Sequence, residues 1–466
     1  MDKIKFNHQF ILRITLVSAM GGLLFGYDWV VIGGAKPFYE RFFDIVNSPH
    51  LQGWAMSSAL IGCLVGAIAS GYLTDRFGRK IPLIVSAALF TIAAIGTGIV
   101  NNFTPFVIYR LLGGLGIGLA SAISPMYIAE ISPASMRGRL VSINQLTIVI
   151  GILAAQIINY LIAEIVPEGA SDQMILQSWN GQTGWRWMFW AGTVPALIFF
   201  ILAFTIPESP RFLGKSGKWE AALHILERIG GREYALQEKN NIAETLKGTP
   251  KKEEWKTLNN KKIRPILMLG IVLAFFQQWC GINVIFNYAE EIFSSAGYSV
   301  KDMLLNIVIT GMVNLIFTLV AMRMVDSWGR RNLMLLGSVG LAVIYFLLGT
   351  CYYFEMKGLA ILILVMVAIA TYAMTLAPMI WVVLSEIFPN SIRGAAMAIA
   401  TTALWVACFV LTYTFPILNK MLSASGTFWL YSFICLSGFL FILKKLPETK
   451  GKSLEEIEKS HSHEIY

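Results

Sequence analysis

The chain has 466 residues, of which 56% are hydrophobic and only 14% are charged, and its mean hydropathy is +0.63. A soluble protein of this length would carry about a quarter charged residues, so the composition excludes an ordinary soluble fold. The formal net charge of +9 comes from basic residues in alternate polar segments. This pattern is typical of membrane topology, and no nucleic-acid partner is expected.

Apolar runs recur along the whole chain, and each can cross a hydrocarbon core of about 30 Å as a helix. They predict an all-α membrane protein with twelve transmembrane helices. The runs cover residues 12–35, 52–73, 81–100, 105–128, 140–163, 185–206, 264–288, 303–325, 332–353, 358–384, 395–418 and 427–443. The first run is too long, and too closely followed by others, to be a cleaved signal peptide.

The distribution of charge predicts the orientation in the membrane. Lys and Arg cluster in segment 207–264, whereas segment 163–184 carries three acids and no basic residue. The positive-inside rule therefore places both termini and segment 207–264 in the cytoplasm. The compact loops favour a multi-pass protein of the bacterial cytoplasmic membrane.

The positions of the cysteines and histidines do not indicate a disulfide framework, a metal site or a catalytic site. The five cysteines are scattered through the apolar runs, and the five histidines lie at the termini or in polar segments. Neither a disulfide framework nor a metal site is predicted. A phosphate-binding Gly-Lys loop and a nucleophile–histidine arrangement are also missing from the sequence, so we expect neither an enzyme nor a cofactor.

Three short motifs occur twice, in the same order, after the second, fourth and sixth run of each half. The pairs are Asp75-Arg-Phe-Gly-Arg-Lys80 with Asp326-Ser-Trp-Gly-Arg-Arg331, Glu130-Ile-Ser-Pro-Ala-Ser-Met-Arg-Gly138 with Glu386-Ile-Phe-Pro-Asn-Ser-Ile-Arg-Gly394, and Pro207-Glu-Ser-Pro-Arg211 with Pro447-Glu-Thr-Lys-Gly451. Three matches in register indicate an internal duplication. Parallel six-helix repeats, with a site near the bilayer midplane between them, are a known transporter plan.

The duplication predicts two pseudo-symmetric six-helix bundles, at residues 1–206 and 263–446. Between them, residues 207–262 form the only long polar stretch, which is rich in Lys and Glu. Its helical periodicity predicts amphipathic helices along the cytoplasmic face. A short cytoplasmic tail, residues 447–466, follows the second bundle.

The repeated loops carry matched acids and bases. In a two-state carrier such charges can pair to close the cytoplasmic side and separate when it opens. One exposed pair contributes only about 0–1 kcal/mol, but a network can bias the equilibrium. The alternative is that the charges only anchor helix ends and set topology. The predicted gating charges are Asp75, Arg79, Glu130, Arg137, Glu208, Arg211, Asp326, Arg330, Glu386, Arg393 and Glu448.

These motifs resemble the major facilitator superfamily, and within it the sugar porter branch. The resemblance covers nearly the whole chain and rests on the paired motifs, Pro207-Glu-Ser-Pro-Arg211 and Pro447-Glu-Thr-Lys-Gly451 among them, together with three further segments. These segments are Gly26-Tyr-Asp28, Gln277-Gln278 and Gly281-Ile-Asn283. The resemblance implies the major facilitator fold and the transport of a small neutral monosaccharide by alternating access.

A sugar calls for amides, which both donate and accept hydrogen bonds, and for aromatic rings that stack on its C–H faces. Several amides and tryptophans inside the membrane runs meet this need. The candidate substrate-binding residues are Phe25, Gln145, Gln277, Gln278, Asn283, Asn287, Asn314, Trp381 and Trp405. Alternatively, such amides join helices and such tryptophans pack. Gly281, between two of these amide groups, is expected to let the seventh helix bend or unwind.

The resemblance implies sugar contacts for five of these residues and a flanking aromatic role for Phe25 and Trp405. The five are Gln145, Gln277, Gln278, Asn283 and Trp381. The chain departs from the family pattern at Leu404, where relatives have an amide, and at Asn287, where a tyrosine is expected. The choice between a pentose and a hexose is therefore open.

Asp28 is the acid embedded most deeply in the first run, and Arg110 is a basic residue inside the fourth run. A carboxylate at that depth is costly unless it is paired, hydrated or protonated. The resemblance implies that Asp28 is the protonation site and Arg110 its partner. A purely structural ion pair is the alternative.

Together these features predict a proton–sugar symporter, with the proton as coupling ion and the lipid bilayer as its surroundings. A monomer is expected. The alternatives are a passive sugar uniporter, which commonly has a neutral residue in place of Asp28, and a membrane sugar sensor, which would carry a long signalling tail. A multidrug antiporter would show more acids in mid-membrane and fewer clustered amides.

Overall fold

The computed structural model describes residues 5–167, 170–246, 263–388 and 393–448. All regular structure in these ranges is helical, which confirms the predicted all-α class. Two predicted gating charges, Asp326 and Arg393, have side chains outside the described set, and so does the predicted tail beyond residue 448.

The apolar runs of the first half form helices whose interiors are occupied by Leu, Ile, Val, Ala and Gly. They are α1 (His8–Phe42), α2 (Pro49–Phe77), α3 (Lys80–Ile99), α4 (Phe103–Ile131), α5 (Arg137–Ile162), α6 (Asp172–Gln177), a π-helical turn (Asn180–Gly184), α7 (Trp185–Ala191) and α8 (Thr193–Ala203). The linker that follows contains α9 (Pro210–Lys215) and α10 (Trp219–Leu246).

The second half repeats this pattern with more interruptions. Its helices are α11 (Arg264–Trp279), α12 (Ile282–Asn287), α13 (Ala289–Ser295), α14 (Val300–Trp328), α15 (Arg330–Tyr353), α16 (Leu359–Met374), α17 (Leu376–Ile387) and α18 (Arg393–Lys445). The backbone of α18 leaves helical geometry at Ser423, where φ is 60°.

Within the described residues, 11 helical segments are long and apolar enough to cross a membrane. The last of them, Ala395–Lys445, has 51 residues. At about 1.5 Å per residue it exceeds twice a hydrocarbon core of about 30 Å, and it is broken at Ser423. It therefore supplies two passes, so the predicted twelve spans are confirmed.

The contacts of the backbone divide the chain into two compact units. The first unit is Met1–Trp29, Ile61–Ala155 and Phe189–Thr249, and the second unit is Val30–Leu60, Gln156–Met188 and Pro250–Tyr466, each within the described ranges. The second unit thus takes in parts of α1, α2 and α5 beside the whole second half. The domain boundaries drawn from the sequence repeat stay a prediction.

In the first unit, the linker helices pack their apolar face on the membrane helices. Leu226 and Ile229 of α10 belong to one buried cluster with Ile128 of α4. Tyr234 packs edge-on against the ring of Phe6, with the ring centroids 5.3 Å apart. Burial of its hydroxyl, reinforced by the charge of Glu238, raises the pKa of Tyr234 to about 12. The predicted amphipathic linker helices are present.

The predicted interruption of the seventh membrane helix lies at Gly281, between α11 and α12. Its φ of 88° is in the left-handed region, where a side chain clashes with the backbone. A Cβ added there would also lie 3.0 Å from Cγ of Tyr431. A glycine is therefore required to break the helix at this point.

Replacing Gly281 with Ala is expected to reduce the free energy of unfolding by about 1–2 kcal/mol, because the left-handed backbone becomes strained. The measurement is the thermal unfolding midpoint of the detergent-solubilised protein. Gly71→Ala is the matched control, since Gly71 lies inside α2 with nothing within 4 Å of an added Cβ. It should leave the midpoint unchanged or raise it. An equal decrease of the unfolding midpoint in both variants would contradict the requirement for glycine at position 281.

Candidate functional site

Asp28 of α1 and Arg110 of α4 are in direct contact inside the first unit. Nη1 of Arg110 donates to Oδ1 of Asp28 at 2.9 Å and to Oδ2 at 3.0 Å. The arginine is 3% exposed, whereas the aspartate side chain keeps 18% exposure. The guanidinium carbon also lies 5.9 Å from the ring centroid of Phe189.

This geometry suits a group that exchanges a proton. Breaking a buried ion pair leaves an uncompensated charge, so protonating Asp28 would strongly favour a rearrangement around Arg110. Gly113, one turn after Arg110, lies beside the carboxylate, since a Cβ added there would lie in van der Waals contact with Oδ2 of Asp28 at 3.7 Å. Loss of the charge on Asp28 would leave the buried Arg110 without this ion-pair partner.

Three of the predicted substrate amides form a continuous hydrogen-bonded chain in the second unit. Nε2 of Gln278 donates to Oε1 of Gln277 at 2.6 Å, and Nδ2 of Asn283 donates to Oε1 of Gln278. Gln277 in turn donates to the hydroxyl of Tyr372 on α16. The three amides are 5%, 7% and 8% exposed. Because Gly281 interrupts the helix between them, amides on α11 and α12 can meet.

The other predicted substrate residues are distributed over both units. In the second unit Asn287, Asn314 and Trp405 are buried, whereas Trp381 is 42% exposed. In the first unit Gln145 is exposed. Phe25, also in the first unit, packs edge-on against Trp29 with ring centroids 5.7 Å apart.

The first copy of the charged loops forms a compact network at the start of α3. Nη2 of Arg79 lies 2.7 Å from Oε1 of Glu130. The carboxylate of Glu208 accepts from the backbone N–H of Arg79 at 2.8 Å and of Lys80 at 3.2 Å. These donors are the free N–H groups of a helix N-terminus, which favours an anion. Gly78 makes the turn with φ of 83°.

The second copy repeats this network inside the second unit. Nη2 of Arg330 lies 3.1 Å from Oε1 of Glu386. The carboxylate of Glu448 accepts from the N–H groups of Arg330 and Arg331 at 3.0 and 3.2 Å. Gly329 makes the turn with φ of 84°. The repeated motifs therefore build the same local geometry twice.

A family model described as sugar (and other) transporter matches residues 14–460, nearly the whole chain. The chain belongs to this family. It is accordingly a multi-pass membrane protein of a transporter family, and the sugar porter resemblance drawn from the motifs is confirmed.

Several members of the family have known activities or structures. The D-xylose-proton symporter of Escherichia coli (strain K12) is 39% identical, over 97% of this chain and 96% of its own length. The arabinose-proton symporter of Bacillus subtilis (strain 168) is also 39% identical, over 97% and 95%. The inward-open structure of the xylose transporter XylE from E. coli matches with a TM-score of 0.84, 38% identity, and 97% and 99% coverage. The predicted fold class is thereby confirmed.

Three further predicted charges with described side chains, Asp75, Arg137 and Arg211, lie in other surroundings. Asp75 instead pairs with Lys215 of α9, with Oδ1 and Nζ 3.0 Å apart, and both side chains are well exposed. Arg211 is exposed. Arg137 lies near Tyr234, and its positive charge opposes the rise in the pKa of that tyrosine.

Two residues at the amide chain were not predicted from the sequence. Tyr372 accepts the hydrogen bond from Gln277, and Sγ of Cys408 lies 3.9 Å from Nδ2 of Asn283. A hydroxyl in the middle of an apolar run was the available signal for Tyr372. For Cys408 no such signal exists, because buried cysteines usually behave as small apolar residues.

Proposed function

We propose that this protein is a proton-coupled symporter that imports a monosaccharide, D-xylose or a related pentose or hexose, by alternating access. The observation that carries the proposal is the contact between Asp28 and Arg110, at 2.9 Å in the membrane interior. A partly buried acid that contacts a buried base can bind and release a proton during the transport cycle. The symporters of E. coli and B. subtilis named above support the same assignment.

In this proposal the amide chain of Gln277, Gln278 and Asn283 forms hydrogen bonds with the sugar hydroxyls. Trp381 and Trp405 contact the C–H faces of the sugar. Protonation of Asp28 releases Arg110 and permits the transition with sugar bound. The Arg79–Glu130 and Arg330–Glu386 networks fix the loops of each unit on the cytoplasmic side.

The protein is proposed to lie in the bacterial cytoplasmic membrane with both termini in the cytoplasm, to act as a monomer and to have no enzymatic activity. Its energy source is then the proton gradient. One proton entering down about 100 mV releases about 2.3 kcal/mol, which supports roughly fifty-fold accumulation of a neutral sugar.

The test is uptake of labelled xylose into proteoliposomes, with and without a proton gradient, in competition with unlabelled xylose, glucose, galactose and arabinose. Symport predicts accumulation only with the gradient, and inhibition by one or more of these sugars. Equilibration that ignores the gradient would instead identify a passive uniporter. Saturable binding without any uptake would identify a sensor.

A further inference from the structure

A buried lysine near the end of α1 lies among three carboxylates, all inside the second unit. Nζ of Lys36 is 2.6 Å from Oε1 of Glu291, 3.3 Å from Oε2 of Glu290 and 3.3 Å from Oε1 of Glu40. The side chains of Lys36 and Glu40 are 2% and 6% exposed, and those of Glu290 and Glu291 are 16% and 21% exposed. This cluster is separate from the Asp28–Arg110 pair.

Amides from two further helices complete the cluster. Nε2 of Gln52 on α2 donates to Oε2 of Glu40 at 3.3 Å. Nδ2 of Asn419 on α18 donates to Oε2 of Glu291 at 3.4 Å. The Lys36 ammonium also lies 5.8 Å from the ring centroid of Tyr288. Within the described residues, Lys36 is the cation that pairs with these three acids, so it holds together groups that would otherwise repel each other.

The cluster joins α1 to the element that follows the amide site. Glu290 and Glu291 belong to the first turn of α13, and only Tyr288 separates α13 from α12. Asn283 lies on α12, whose last residue is Asn287. The last part of α1 also approaches α12 directly, since a Cβ added at Gly33 would lie 3.2 Å from the carbonyl oxygen of Asn287. Holding α13 against α1 therefore holds α12 in place as well.

The position of Gln52 along α2 shows at which end of that helix the cluster lies. Gln52 lies in the first turns of α2, whereas the same helix ends beside the Gly78 turn and the Arg79 network. The cluster thus contacts the first turns of α2, at the end of this helix opposite to the Gly78 turn.

We propose that Lys36, Glu40, Glu290 and Glu291 form an ion-pair lock that closes the sugar pathway at this end. The lock must open before sugar can reach the amide chain from that side, a role that rests on the proposed transport function. Charges suit such a contact because a buried ion pair is close to neutral in net stability, while each charge regains its hydration when the contact opens to water. An apolar contact of similar area would oppose opening more strongly.

Substituting Lys36 does more than remove one contact. Lys36→Met keeps most of the side-chain volume but leaves three neighbouring carboxylates without a counter-charge. Their mutual repulsion then favours the open state. The double variant Lys36→Glu with Glu291→Lys keeps one cation and three carboxylates in the same place. The ion-pair contact is therefore expected to form again in this variant.

Opening can be measured without transport, as alkylation by a membrane-impermeant maleimide. The reporter is Ser57→Cys, because Ser57 lies fully buried on α2 in the second unit. The chain without this cysteine serves as the background, since Cys351 is partly exposed. Lys36→Met is expected to speed labelling of the reporter by about tenfold. Lys301→Met is the control, because the recorded partner of that lysine is the Tyr160 ring at 5.5 Å.

The outcomes separate the lock from the transport function. Labelling that rises in Lys36→Met and returns to the parent rate in the charge-swapped variant supports the lock, whether or not sugar uptake is found. If the reporter cysteine in Lys36→Met is labelled at the parent rate, the proposed lock is wrong, even where gradient-driven uptake is normal. Fast labelling in the charge-swapped variant also overturns it, because side-chain shape rather than charge would then hold the contact. If Lys36→Met does not fold, Lys36→Gln takes its place with the same expectation, because it also removes the positive charge that faces the three carboxylates.

Discussion

Replacing Asp28 with Asn is expected to abolish uphill sugar uptake while sugar exchange between the two sides continues. Asn keeps the shape of the side chain but cannot bind and release a proton, so the contact with Arg110 loses its charge and its response to protons. Accumulation should fall from roughly fifty-fold to about equilibrium at a driving force of about 100 mV.

The measurement compares gradient-driven accumulation with counterflow in the same proteoliposomes. Counterflow requires only binding and the conformational change, so it tells a coupling defect from a folding defect. Asp172→Asn is the matched control, because Asp172 pairs with Arg41 at 2.8 Å but its side chain is 69% exposed. Exposed pairs contribute little, so this variant should accumulate sugar normally. Gradient-driven accumulation that survives in the Asp28 variant would refute the assigned coupling role.

Replacing Gln278 with Ala is expected to weaken sugar binding by about 10- to 100-fold. Gln278 is the middle member of the amide chain, where it donates to Gln277 and accepts from Asn283. Its loss removes one amide from the site, and Oε1 of Gln277 and Nδ2 of Asn283 each lose the hydrogen bond to that amide. Each unpaired buried polar group costs about 1–3 kcal/mol, and a factor of ten corresponds to about 1.4 kcal/mol.

The affinity is measured by titrating the purified protein with the sugar that the competition assay identifies. Gln182→Ala provides the control, because Gln182 is an exposed amide whose recorded bond is to the carbonyl of Leu176. An unchanged dissociation constant in Gln278→Ala would exclude a direct role of the amide chain in sugar binding. A proportional loss in both variants would indicate a general effect of removing an amide.

The membrane fold could be predicted from the sequence because it follows from local composition. A run of about twenty apolar residues must become a helix in a bilayer, where every backbone polar group needs an internal partner. The same reasoning explains Gly281, since the residue that can adopt a left-handed backbone is visible in the sequence. The repeated loops were predicted for another reason: two copies of one motif, each beginning at a helix end, fold under the same local rules.

Of the candidate site, the sequence predicted the residues but not the contacts between them. Depth in an apolar run identified Asp28 and Arg110, but not the two hydrogen bonds that join them. Asp75 and Glu208 were assigned alike from their motifs, yet Glu208 accepts from the N-terminus of α3 while Asp75 pairs with Lys215. Which charge meets which depends on the direction in which each loop leaves its helix.

By itself, the sequence determined the number of spans, the internal duplication, the break at Gly281 and the residue types of a sugar site. These features depend on neighbours within a few turns of one helix. Only the tertiary structure decided that Tyr372 completes the amide chain and that Lys36 meets Glu290 and Glu291, 254 and 255 residues further along the chain. Contacts at such separations depend on how helices pack against one another, and the apolar pattern of a membrane helix does not encode which partner it faces.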